Sequence, residues 1–104
     1  MSWEAMLERI RLSMLQYWPE KCLALGPGRL SQLISDSVDA AWAYGFHDEM
    51  LIQRYVNLVF TLGEEFESAY PWTSKILNDC TLGEDGRLDA IWQRLREVTK
   101  PRDR

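Results

Sequence analysis

Apolar residues recur along this chain with a helical period, and no stretch of useful length alternates like a half-buried strand. Near the amino terminus Trp3, Met6, Leu7, Ile10 and Met14 share one stripe, while Glu4, Glu8 and Arg11 lie off it. The pattern predicts a first helix from about Trp3 to Tyr17, capped by Ser2 and stopped by Pro19 shortly after Trp18. Gly26-Pro27-Gly28 marks a loop. Leu30, Leu33, Ile34, Val38, Ala41 and Trp42 then predict a second helix from about Arg29 to Tyr44, with Gln32, Asp36 and Asp39 facing water. Gly45 falls just past its end, where a left-handed residue is expected. A third helix runs from near Asp48 to near Leu62 and ends at a second such glycine, Gly63. Three residues separate Gly45 from Glu49, so helices two and three should form a tight antiparallel hairpin.

Helix three stands apart from its neighbours. Leu51, Tyr55, Leu58, Val59 and Leu62 make one apolar stripe, Ile52, Val56 and Phe60 a second beside it, and the polar residues Gln53, Arg54, Asn57 and Thr61 fit a narrow sector. A helix apolar over most of its girth must be enclosed on several sides. It is either the centre of the bundle or covered by another chain, and homodimerisation through this helix is one way to cover it. An acidic, aromatic connector follows from Glu64 to Tyr70, and Pro71 occupies the first position of a short helix from Trp72 to about Asp79. Gly83, Asp85 and Gly86 predict a turn. The last helix spans about Arg87 to Thr99, with Leu88, Ile91, Trp92, Leu95 and Val98 on one face and Pro101 beyond it. The fold class is therefore all-α, a compact irregular bundle of four to five helices in a single domain covering residues 1–104.

Composition narrows the partners. The chain is 46% apolar and 27% charged, values of an ordinary globular domain. Twelve basic against sixteen acidic residues give a formal charge of −4, which disfavours nucleic acid and anionic membrane surfaces, since both are bound by neutralising phosphates. Lys100, Arg102 and Arg104 form the one basic cluster, at a polar terminus. Glu8, Arg9 and Arg11 break any signal-peptide run, and the stretch from Val56 to Leu62 is too short to span a bilayer. Cys22 and Cys80 lie far apart and read as reduced thiols, consistent with a cytoplasmic location.

Chemistry is hard to find. The one histidine, His47, sits at the start of helix three, where capping or solvent exposure explains it. One histidine and two distant cysteines cannot supply a zinc set, and Gly26-Pro27-Gly28 lacks the lysine and hydroxyl of a phosphate loop. Asp48 and Glu49 suit the positive end of a helix, and Glu64-Glu65 is simply solvated. No catalytic, cofactor-binding or metal-binding residue is assigned, and the chain is read as a non-enzyme. Its aromatic content is the unusual feature, with five tryptophans, four tyrosines and three phenylalanines. Trp42 and Trp92 sit on apolar stripes and are expected in the core. Trp3, Trp18 and Trp72 lie at helix ends, where a large ring is harder to bury, and with Tyr70 they are the candidate partner-binding residues.

Residues 34 to 79 carry a resemblance. The order Ile34, Val38-Asp39-Ala40-Ala41-Trp42-Ala43-Tyr44-Gly45-Phe46, Glu49, Tyr55-Val56-Asn57-Leu58, Leu62-Gly63, Phe66, Pro71-Trp72 and Ile76-Leu77 resembles the carboxy-terminal helical module of adaptor chaperones that load effectors onto bacterial type VI secretion spikes. It is also similar to small stand-alone proteins encoded beside those adaptors. The resemblance implies a helical, non-catalytic accessory protein, co-chaperone-like, that binds an adaptor or effector. The adaptors' own amino-terminal effector-recognition region has no counterpart here, which favours the accessory role. A second reading is an immunity protein, whose acidity suits a basic toxin.

Overall fold

The computed structural model describes residues 3–79 and 81–99, and its described elements are all helical. In chain order they are α1 (Trp3–Tyr17), α2 (Pro19–Ala43), α3 (Glu49–Leu62), α4 (Phe66–Ala69), α5 (Pro71–Leu77) and α6 (Glu84–Thr99). The architecture is an all-α bundle, with six helices where four to five were expected. Ser2, Cys80, the Val98 side chain, Pro101 and the basic cluster of Lys100, Arg102 and Arg104 lie outside the described residues.

Helix α1 follows its periodicity closely, burying Met6, Ile10 and Met14. The expected loop after Pro19 is instead helical. Proline lacks an N–H, so at the first turn of a helix it forfeits nothing, and Pro19 both ends α1 and begins α2. The same logic recurs at Gly26, whose φ of 82° and ψ of 159° break the helix and let Pro27 begin a second helical run. The glycine-proline pair is thus a kink inside α2. Cys22 is buried in the run before it, its thiol proton facing the Met14 carbonyl. Lys21 and Trp18 hold that run onto α3. The Lys21 ammonium donates to the Phe60 carbonyl at 2.5 Å, and the Trp18 indole N–H donates to Asn57 Oδ1 at 2.8 Å.

The end of α2 is a Schellman cap. Gly45 takes φ of 97°, its N–H donates to the Trp42 carbonyl at 2.9 Å, and the Phe46 N–H reaches back to Ala41 at 3.0 Å. Phe46 and Ala41, the residues that flank such a cap, are both wholly buried. Two residues on, the Asp48 carboxylate accepts the Met50 N–H at 2.8 Å and opens α3. The chain therefore reverses between two hydrogen-bonded caps.

Helix α3 is enclosed by its own chain. Leu51, Ile52, Tyr55, Val56, Leu58, Val59 and Phe60 are all buried, against α2 on one side and α6 on another. Most of that apolar girth is covered within the chain, which places α3 at the centre of the bundle. Gly63 ends α3 with φ of 107° and ψ of 164°, its N–H bonded to Val59 at 2.7 Å. The connector then forms the short helix α4, whose Phe66 plugs the core. Helix α6 starts at Glu84, so Asp85 and Gly86 belong to its first turn and not to the preceding loop. Leu88, Ile91 and Leu95 face inward from it, and Trp92 is half-buried.

Arg87 ties α6 to the ends of α2 and α5. Its Nη1 donates to the Tyr44 carbonyl at 2.9 Å and to the Leu77 carbonyl at 2.7 Å, both at helix carboxyl ends. These carbonyls lack helical partners and carry the negative end of the helix dipole, so a guanidinium answers both needs. The guanidinium also lies over the Phe46 ring at 4.6 Å, while its Nε is buried without a hydrogen-bond partner.

Two glycines should respond in opposite directions to alanine. Gly63 occupies backbone space essentially reserved for glycine, so Gly63→Ala is expected to lower the unfolding free energy by about 1–3 kcal/mol in urea titrations. Gly28 is helical with open space around it, so Gly28→Ala should raise it by about 0.5–1 kcal/mol. Equal effects at the two positions would refute this backbone assignment.

Candidate functional site

Helix α2 packs broadly on both α1 and α3, whereas α1 and α3 touch each other sparingly. A groove of about 850 Å³ opens between them. Met6 and Met14 of α1 contribute its buried apolar lining, and Tyr17, Met50, Gln53 and Asn57 line it farther out. The Arg9 guanidinium holds Glu49, from Nε at 2.8 Å and from Nη2 at 2.6 Å. Arg54 pairs with Asp89 of α6 at 2.6 Å. Those contacts pair Glu49 and Arg54 within the chain, while Asp48 caps α3 through the Met50 N–H. The hydrogen bond from Arg9 holds the Glu49 carboxyl below the usual carboxylate range.

Large apolar side chains are exposed around this groove and beyond its end. Tyr17 is 65% exposed and Met50 73%. Trp3 and Trp42 are 41% and 44% exposed and meet edge to face, centroids 5.3 Å apart. His47, another groove residue, is solvent-exposed as expected and rests its imidazole against Trp42, ring centroids 4.1 Å apart, while Asp48 supplies the cap. Trp42 was expected in the core. It lies about 100° around the helix from Ala41, at the flank of the buried stripe, and so reaches the surface.

The four residues singled out for partner binding do not form one site. Trp3 joins the exposed aromatic pair. Trp18 is half-buried between α1 and α3, bonded to Asn57, with its ring near Phe60 and the Lys21 ammonium. Its geometry is that of a packing residue. Tyr70 and Trp72 are half-buried beside each other, centroids 6.3 Å apart, with the Arg94 guanidinium 5.3 Å from the Trp72 ring. Met50 was missed, although the sequence carried a signal for it. It falls in the polar sector of helix three with Arg54, Asn57 and Thr61, where an apolar side chain faces outward.

Titratable groups also gather in the interior. The Tyr44 hydroxyl donates to the Glu67 carboxylate, and Tyr55 packs beside Tyr44 with centroids 6.0 Å apart. Burial first, and the Glu67 carboxylate after it, push both phenols well above the ordinary tyrosine value. The Cys22 thiol is pushed up by burial as well, which disfavours its reactive thiolate form. Among the described residues no three His, Cys, Asp or Glu side chains gather as a metal-ion set, and no helix is long and apolar enough to cross a membrane.

A phenol with a raised folded-state pKa binds its proton more tightly in the native than in the unfolded chain. The stabilisation is fully present below about pH 10 and is lost as pH rises through the folded value. Urea stability should therefore decline above about pH 10, and Tyr44→Phe should decline less steeply. Identical slopes would contradict the assignment. Trp18→Ala should cost about 2–3 kcal/mol, whereas Trp3→Ala should stay within about 1 kcal/mol, as read by urea titration.

No protein-family model, curated protein or solved structure matches this chain.

Proposed function

We propose that this chain is a non-catalytic, cytoplasmic protein-binding accessory that serves an adaptor or effector of a type VI secretion system in the manner of a co-chaperone. One observation carries the binding part of the reading. Trp3, Tyr17, Trp42 and Met50 leave large apolar surface in water around and beyond the end of a groove with buried methionines in its lining. Exposed apolar clusters are unfavourable in a monomer unless they are used, and tryptophan and tyrosine are typical anchors of protein interfaces. Methionine suits such a lining because its unbranched, polarizable chain adapts to what it meets. Glu49 is already engaged by Arg9 and Arg54 by Asp89, so apolar contact leads over ionic attraction.

The secretion role rests on the resemblance of residues 34 to 79 to adaptor helical modules. Its matching residues Ile34, Val38, Phe46, Tyr55 and Phe66 are buried, which makes them a signature of fold more than of partner. The formal charge of −4 favours one alternative, an immunity protein that covers a basic toxin.

Co-expression with type VI adaptors and effectors, followed by size exclusion, tests both parts. The wild-type chain is expected to co-elute stoichiometrically with one of them. Met50→Glu should weaken that complex at least tenfold while its urea stability stays within about 1 kcal/mol, because Met50 is already exposed. A wild-type chain that elutes alone overturns the secretion reading, and rescue from a cytoplasmic toxin then selects the immunity role. Equal complexes with wild type and Met50→Glu would show the groove to be the wrong face.

A further inference from the structure

We draw no further inference here: the strongest candidate, the groove between α1 and α3 lined by Met6, Met14, Tyr17 and Met50, belongs to the site already described, and nothing in the structure shows what covers it.

Discussion

Seven of the fourteen residues of α3 are buried, and the rest of the structure is arranged around that requirement. An apolar cylinder in water is costly on every side that remains wet. Helix α2 covers one side and α6 another, and Phe66 closes the core near Tyr55, with ring centroids 5.8 Å apart. The narrow polar sector is then the natural place for an opening, and the groove lies along it, lined by Gln53, Arg54 and Asn57. The open face is a consequence of how completely the other faces are closed.

The helical stripes were legible because burial enforces a strict period. α1 and α3 appear essentially where the sequence put them, and Gly45 and Gly63 both take positive φ at helix ends. The differences in helix boundaries share one physical origin. Pro19, Pro27 and Gly86 have the composition of breakers, but a proline or glycine in the first turn is compatible with a helix. Sequence marks an interruption more readily than it tells an ending from a beginning. At Pro19 both meanings hold at once, and the segment after it folded as helix in place of the expected loop.

The site was less legible than the fold. Exposure of a particular ring depends on degrees of rotation around a helix and on which neighbour covers the flank. Trp18 is half-buried, as its place at a helix end suggested, whereas Trp42 leaves the core for the surface. The first found a hydrogen-bonding amide on α3, and the second stands at the margin of its stripe. Trp72 is incompletely buried, as expected at a helix end, and packs beside Tyr70 and Arg94. Which helices leave a gap is a tertiary property, and only the sparse contact between α1 and α3 discloses it.

Arg87 links elements that lie far apart along the chain. One nitrogen holds the carboxyl ends of α2 and α5 while its own backbone belongs to α6. Detaching α6 would strip the partner from two carbonyls at once and uncover the Phe46 face on which the guanidinium rests. Helix α6 is therefore tied to the hairpin by more than its apolar face. Trimming or proteolytic clipping ahead of Glu84 would remove the guanidinium that closes both helix ends.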